Sequence, residues 1–149
     1  MTYLLDTNIL LRLRQTTHPQ HSNALKAVLF LKKKQETLCI FPQNLMGFWV
    51  VATRPMEVNG LGLNFQQALQ EIQLLKTFFI LYEDKPSIFQ QWEILIVKYQ
   101  VMGKKAHDTR LVAGMIIHQV NYILTFNIND FKNYSEITAV EPLKILENE

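Results

Sequence analysis

The sequence has few of the features that mark a secreted or membrane protein. Cys39 is the only cysteine among its 149 residues, so no disulfide can form within the chain. Cysteine usage therefore indicates a reducing cytoplasm. No apolar run approaches the roughly 20 residues that span a membrane. The first residues, MTYLLDTNILLR, are interrupted by Asp6 and Arg12, which excludes an ordinary signal-peptide core.

Glycine, proline and net charge are also low. The chain contains five glycines and five prolines, without a repeat, a low-complexity segment or a long linker. A formal net charge of +2 permits a nucleic-acid partner but does not by itself indicate one. With 48% hydrophobic residues, a chain of this length can bury a sizeable core. We therefore expect a single domain over residues 1–149.

Short apolar runs alternate along the chain with stretches of helical periodicity. The runs are typical of buried strands, and the periodic stretches place apolar residues on one face of a helix. Strands separated by helices pair in parallel through right-handed crossovers, so the sequence predicts a three-layer α/β/α sandwich with a central, mainly parallel sheet. The predicted strands are 2–5, 37–41, 78–82, 121–126 and 137–140, and the predicted helices are 7–15, 22–34, 43–53, 65–77, 86–99 and 107–120.

Three acidic residues stand where strands end or helices begin. Asp6 follows the first strand, Asp108 lies at the start of HDTRLVAGMIIHQV, and Asp130 follows the strand NYILTF. Since ligands of open α/β sheets bind beyond the carboxyl ends of the strands, this topology could bring the three acids to one edge. Each acid alone also has a structural interpretation. Asp6 and Asp130 could cap helices, and Asp108 could be a first-turn acid favoured by the helix dipole.

Clustered carboxylates have an electrostatic consequence that favours a metal site. Three acids at one sheet edge repel one another, which raises their pKa values and destabilises the fold unless a cation is present. Mg²⁺ binds a few carboxylates at about 2.0–2.1 Å, keeps several waters and leaves positions for a phosphate. Such an ion can polarise a phosphodiester and lower the pKa of a water. The pattern therefore predicts a divalent-cation site that acts on phosphate esters.

Five blocks of sequence along the chain resemble those of a known family: YLLDTNILLR, PQNLMGFWVVATRP, GKKAHDTRLVAG, ILTFNINDF and ITAVEP. They resemble the blocks of the PIN domain, a family that includes the VapC-type ribonuclease toxins of bacterial toxin–antitoxin pairs. The blocks occur in the expected order over nearly the whole chain. A single block is weakly specific, whereas the ordered set is strongly specific.

The resemblance implies a Mg²⁺- or Mn²⁺-dependent endoribonuclease that dimerises and is held by an antitoxin protein. It implies that Asp6 and Asp108 are the principal catalytic metal ligands. Asp130 would complete the acidic site, although in the family the last acid stands either at this position or at that of Asn127. The residues implied as supports are Thr7 and Asn8, which would orient Asp6, and Thr125, which would orient the last acid.

One position departs from the family pattern. The second block of the family carries a glutamate where Gly47 stands here, and glycine inside a helix costs about 1 kcal/mol relative to alanine. Asn44 and Gln43 lie on the same helix face, and an amide oxygen from either could partly replace the missing ligand. We interpret Gly47 as a lost catalytic acid at a position that did not serve stability.

Basic residues near the predicted site are the candidates for contacts with RNA phosphates: Arg12, Lys104, Lys105 and Arg110. Two other functions stay open. The chain could be a catalytically inactive PIN-fold module that binds RNA or protein, which Gly47 favours. It could also be a phosphatase of the haloacid-dehalogenase kind, although that class needs a second aspartate where Asn8 stands.

Overall fold

A computed structural model describes residues 1–148 of the chain. Strands and helices alternate as the periodicity predicts. The strands are β1 (Thr2–Leu5), β2 (Thr37–Ile40), β3 (Ile80–Leu81), β4 (Tyr122–Leu124) and β5 (Thr138–Val140). The helices are α1 (Thr7–Arg14), α2 (His21–Lys33), α3 (Pro42–Thr53), α4 (Phe65–Phe78), α5 (Ser87–Tyr99), α6 (Lys105–Ile117) and α7 (Pro142–Leu146). Two short 3₁₀ turns lie at Met56–Val58 and Ile128–Asp130.

The five strands form one parallel sheet in the order β3-β2-β1-β4-β5. In the register of the central strands, Leu4 pairs with Cys39 on one side and with Ile123 on the other. Because β1 is central, its carboxyl end lies at the point where the strand order reverses. Ligands of open α/β sheets bind at such a point.

Each face of the sheet is covered by helices, since successive side chains of a strand point to opposite faces. Tyr3 and Leu5 pack into a core with apolar residues of α1, α2, α3, α4 and α7. Leu4 points the other way, into a second core built largely from α5 and α6. The predicted three-layer sandwich is therefore confirmed.

The sequence prediction missed one element and misplaced some boundaries. Helix α7 spans only five residues, too few to show helical periodicity, and begins with Pro142 in its first turn. Helix α6 begins at Lys105 rather than at 107, which places Asp108 fourth in the helix. Strand β3 contains only two residues of the predicted run 78–82. In residues 1–148, no helix is both long and apolar enough to cross a membrane.

Candidate active site

Asp6 is buried at the carboxyl end of the central strand, where its side chain accepts three hydrogen bonds. Its Oδ1 accepts from the backbone N–H of Thr7 at 2.8 Å, so Asp6 caps α1. Its Oδ2 accepts from the Thr125 hydroxyl at 2.7 Å and from Asn8 Nδ2 at 3.3 Å. Burial raises the pKa of Asp6, while these hydrogen bonds oppose the rise by favouring the ionised carboxylate. The capping interpretation and the site interpretation are thus compatible at this residue.

The sequence predicts that Thr125 orients the last acid of the site, but in the structure its side chain orients Asp6. It is fully buried just beyond β4, and its hydroxyl donates to Asp6. The same oxygen accepts from Asn8 Nδ2 at 3.3 Å and from the backbone N–H of Asn127 at 2.9 Å. Asn8 also accepts a hydrogen bond from the backbone of Phe126 through Oδ1. The polar network therefore joins the ends of β1 and β4 and fixes the orientation of the Asp6 carboxylate.

Asp108 and Asp130 complete an acidic group around Asp6. Burial and the negative charges of Asp130 and Asp6 raise the pKa of Asp108 to about 6, while nearby His107 and Lys105 oppose the rise. The charge of Asp130 also contributes to the raised pKa of Asp6. Asp130 is exposed and ends a 3₁₀ turn, so it does not cap the segment FKNY that follows. The three acids thus interact electrostatically, although each comes from a different part of the chain.

The acidic group is more open than a fully protein-ligated metal centre. In the part of the chain that the structure describes, no three His, Cys, Asp or Glu side chains are grouped closely enough to hold a metal ion. Mg²⁺ is usually bound by one or two carboxylates, and waters and substrate phosphates supply its remaining ligands. A hard cation bound by one or two of these carboxylates would therefore take most of its ligands from water and substrate.

Gly47 has a packing role that the sequence interpretation did not include. A Cβ added to Gly47 would lie 3.0 Å from Thr7 Oγ1 and 3.2 Å from Thr7 Cγ2. The absence of a side chain thus lets α3 approach the first turn of α1, and the position does contribute to packing. The interpretation that Gly47 served no structural purpose is wrong. A side chain at position 47 would nevertheless start toward Thr7, the first residue of the helix that Asp6 caps.

The two amides considered as replacement ligands are engaged in other contacts. Asn44 is fully buried, and its Oδ1 accepts from the backbone N–H of Phe41 at 2.9 Å at the start of α3. Gln43 donates from Nε2 to the carbonyl of His107 and accepts from Arg110 through Oε1. Asn44 therefore caps its own helix, and Gln43 links α3 to α6. Neither restores the missing carboxylate.

The four predicted RNA contacts differ in their surroundings. The Arg12 guanidinium donates to Gln20 and Gln15 near the end of α1, away from the acids at its start. Arg110 donates to Gln43 at 2.9 Å and forms a salt bridge of 3.0 Å with Asp84. Lys104 and Lys105 are exposed at the start of α6, and the charge of Lys105 acts on Asp108. The lysines are therefore better placed for phosphate contacts than Arg12.

Two further residues whose side chains could carry chemistry have structural roles. His118 follows the last residue of α6, where its Nε2 lies 2.9 Å from the Glu83 carbonyl and its ring packs against Phe41 and Tyr82. Cys39 is buried in β2, and burial raises the pKa of its thiol to about 12, so it is unreactive.

Comparisons with known proteins identify the fold. No family model matches the sequence, and no curated protein matches it either. Solved structures do resemble it. VapBC2 from Rickettsia felis, bound to a promoter DNA fragment, gives a TM-score of 0.69 at 16% identity and covers 95% of this chain and 98% of its own. VapBC-1 from Haemophilus influenzae also gives 0.69 at 16% identity, with 97% and 100% covered.

A third structure is VapC20 from Mycobacterium tuberculosis, a sarcin-ricin loop cleaving toxin. It gives a TM-score of 0.62 at 13% identity and covers 91% of this chain and 98% of its own. The architecture is therefore that of the PIN domains. Within them the chain has the VapC-type fold, so the resemblance in the sequence blocks is confirmed at the level of the fold.

Replacing Asp108 should change how stability depends on pH in the presence of a chelator. Because its folded-state pKa is raised, ionised Asp108 destabilises the native state, and the penalty grows as pH rises from about 4 to about 6. That pKa corresponds to about 3 kcal/mol, but solvent screens a partly exposed carboxylate, so we expect about 1–2 kcal/mol. Asp108→Asn should therefore gain stability over wild type across this window and keep a constant advantage above it.

The measurement is urea unfolding at a series of pH values in chelator. The matched control is Glu93→Gln, which neutralises an exposed carboxylate on α5. A difference between wild type and Asp108→Asn that stays flat from pH 4 to pH 7 would show that the acids do not interact as described.

A double-mutant cycle should reveal the contact between Gly47 and Thr7. Gly47→Ala gains about 1 kcal/mol of helix propensity, but the new methyl group would crowd the Thr7 side chain. In the Thr7→Ala background both crowding atoms are gone. We expect Gly47→Ala to be close to neutral alone and to stabilise the Thr7→Ala protein by about 1 kcal/mol in urea unfolding. Equal effects in the two backgrounds would rule out the packing role.

Proposed function

We propose that the chain is a divalent-metal-dependent endoribonuclease, the toxin component of a toxin–antitoxin pair. The observation that carries this proposal is the acidic group at the end of the central strand, where burial and the charges of Asp130 and Asp6 raise the pKa of Asp108 to about 6. A fold shared with VapC structures, one of them an RNA-cleaving toxin, supports the ribonuclease class.

The acidic residues have separate tasks in this proposal. Asp6 is held rigidly by Thr7, Asn8 and Thr125, so it would present an oriented carboxylate oxygen to a cation. Asp108 and Asp130 would supply the further negative charge. When bound, Mg²⁺ or Mn²⁺ supplies Lewis-acid polarisation of a phosphodiester and an acidified water. The exposed Lys104 and Lys105 would hold the RNA backbone beside these acids.

The antitoxin is the second part of the proposal. The VapBC structures that share this fold are toxin–antitoxin complexes. Between α1, α2 and α4 lies a groove of about 620 Å³, whose apolar lining includes Leu29, Leu74 and Phe78. A groove of this kind fits the apolar face of an amphipathic helix. We assign the groove to a segment of the antitoxin. A gene without a small antitoxin reading frame beside it would contradict this assignment. We also expect the toxin to form a homodimer in the cytoplasm.

Removing the Asp6 carboxylate should abolish the response to metal. A cation that binds only the native state stabilises it by about 2.7 kcal/mol at 100 times its dissociation constant, so Mn²⁺ should raise the melting temperature of wild type. Asp6→Asn keeps an oxygen that can cap α1 but loses the charge. The variant should therefore fold, show no thermal shift with Mn²⁺ and cleave single-stranded RNA at least tenfold more slowly than wild type.

Glu93→Gln is again the control, because it removes a carboxylate distant from the site in sequence and exposed on α5. It should behave like wild type in both assays. If Asp6→Asn and wild type show the same Mn²⁺-dependent shift, the cation binds elsewhere, and the proposed site is wrong.

A catalytically inactive RNA- or protein-binding module is the second candidate, and Gly47 is the observation that favours it. The resembled family has a glutamate at this position, whereas Gly47 provides no ligand and its neighbours Asn44 and Gln43 are occupied by internal hydrogen bonds. The site therefore has one carboxylate fewer than the family pattern. Wild type is expected to bind metal weakly and to cleave RNA slowly or not at all, so the two candidates are best distinguished by the effect of a restored glutamate.

Gly47→Glu should strengthen metal binding. Its side chain would start toward Thr7, beside Asp6, so the added carboxylate could reach the acidic group once Thr7 yields by a few tenths of an ångström. In chelator the added charge increases repulsion and should reduce stability. With Mn²⁺ we expect at least tenfold tighter binding and faster cleavage. Gly47→Gln is the matched control, because it crowds Thr7 equally without the charge.

Mn²⁺ titration followed by calorimetry, together with an RNA cleavage assay, distinguishes the candidates. Tighter Mn²⁺ binding by Gly47→Glu without any cleavage would favour the binding module. Equal gains in Gly47→Glu and Gly47→Gln would show that the added carboxylate is not a ligand.

A further inference from the structure

A cleft at the start of α6 contains an aromatic pair that the catalytic proposal does not use. The cleft has a volume of about 440 Å³ and lies between α5, the segment that precedes it and the first two turns of α6. Its lining includes Phe89 and Trp92 of α5 together with His107 and Arg110 of α6. The three acids are not among the lining residues, but His107 and Asp108 share the first turn of α6, so the cleft and Asp108 lie at the same end of that helix.

The two aromatic rings form a stack that is anchored at one side and open at the other. Phe89 and Trp92 have ring centroids 5.6 Å apart and planes inclined by 23°. The indole is fixed in place, because Trp92 Nε1 donates to the carbonyl of Ala106 at 2.9 Å. Phe89 is 62% exposed. The pair thus presents a flat apolar surface to solvent on a rigid base.

Charged groups around the cleft suit an anionic ligand that also has a flat face. Lys85 and Arg110 line it, and Lys104 and Lys105 lie at the start of the same helix as Arg110. Asp84 offsets part of this charge by pairing with Arg110 at 3.0 Å. Arginine has five N–H donors, and Arg110 donates only through NH1 to Gln43 and NH2 to Asp84, so it keeps donors for a phosphate.

We propose that Phe89 and Trp92 form a stacking site for one base of single-stranded RNA, next to the scissile phosphate. This inference rests on the proposed ribonuclease function and adds a substrate subsite to it. Aromatic side chains within a positively charged groove are the usual platform for single-stranded nucleic acids, because every base has a π-face. The base would lie on the exposed face of Phe89, and Arg110 and Lys85 would contact the adjoining phosphates.

Substitutions at Phe89 can distinguish stacking of a base on an aromatic ring from nonspecific contact with an apolar side chain. Phe89→Tyr keeps an aromatic ring, whereas Phe89→Leu keeps an apolar side chain against Trp92 without a ring. Because Phe89 is mostly exposed, neither change should prevent folding. The matched control is Phe65→Leu. Phe65 is also 62% exposed and also contacts a tryptophan, Trp49, but edge-on at 80° and on other helices.

The experiment measures binding in EDTA, where no cleavage is expected. One probe is a single-stranded RNA of about eight nucleotides, within the span that such platforms cover, and the other is the same chain with abasic riboses. We expect Phe89→Leu to bind the RNA roughly 5- to 150-fold more weakly than wild type, the loss of one stacked base. Phe89→Tyr and Phe65→Leu should bind RNA like wild type, and all four proteins should bind the abasic chain equally.

Two results would overturn the stacking site: unchanged RNA binding by Phe89→Leu, or equal losses for the RNA and the abasic chain. If RNA binding is unchanged and Phe89→Leu loses self-association in light scattering, the surface is assigned to a second copy of the chain instead. Failure of the ribonuclease proposal looks different. If wild type binds RNA through Phe89 but does not cleave it with Mn²⁺, the result supports the stacking site and contradicts the proposed ribonuclease function.

Discussion

The hydrogen bond from the Thr125 hydroxyl to Asp6 is the contact on which the geometry of the site depends. It joins the carboxyl ends of the two adjacent central strands, β1 and β4, at 2.7 Å in a fully buried setting. The Asp6 carboxylate also accepts from the first N–H of α1, so one side chain sets the start of a helix and the spacing of two strands. Hydrogen bonds to a charged acceptor are about twice as strong as neutral ones, which suits a buried carboxylate that must keep one orientation.

The same carboxylate creates an electrostatic conflict with Asp108 and Asp130. Burial and mutual repulsion raise the pKa values of Asp6 and Asp108, so the fold carries ionised groups at a cost in stability. A protein selected for stability alone would replace at least one of these acids. Strongly perturbed carboxylates in one place are characteristic of functional sites, because a ligand can relieve the repulsion that the free protein bears. The conflict therefore supports a cationic ligand independently of the family resemblance.

The sheet and most of the helices could be predicted from the sequence because their signals are local. A buried strand such as TLCI is a short apolar run in the sequence, and a helix such as α2 places its apolar residues on one face. Contacts made across the chain have no such signal. The role of Thr125 depends on a partner 119 residues away, and the capping role of Asn44 depends on the backbone conformation at Phe41. From the sequence, Thr125 is therefore assigned to the last acid, and Asn44 is left as a possible replacement ligand.

Gly47 shows a related difficulty. The residue interrupts a helix pattern, which is a local signal, but the reason for the glycine is the approach of Thr7 from another helix. The stacked pair of Phe89 and Trp92 has a local signal, the three-residue spacing that places two side chains on one helix face. That spacing alone does not distinguish a surface platform from part of the core, because the difference depends on how α5 packs against the beginning of α6.

The parallel order of the sheet also has a consequence during synthesis of the protein. Strand β1 is made early, but one of its two neighbours is β4, so the hydrogen bond between Asp6 and Thr125 joins residues that are 119 positions apart in the sequence. Chains emerge from the ribosome at about 5–20 residues per second. For several seconds, then, Asp6 exists without the hydroxyl that orients it. A nascent chain therefore lacks an oriented Asp6 carboxylate until most of the chain has been made, because the two strands that hold this side chain meet only then.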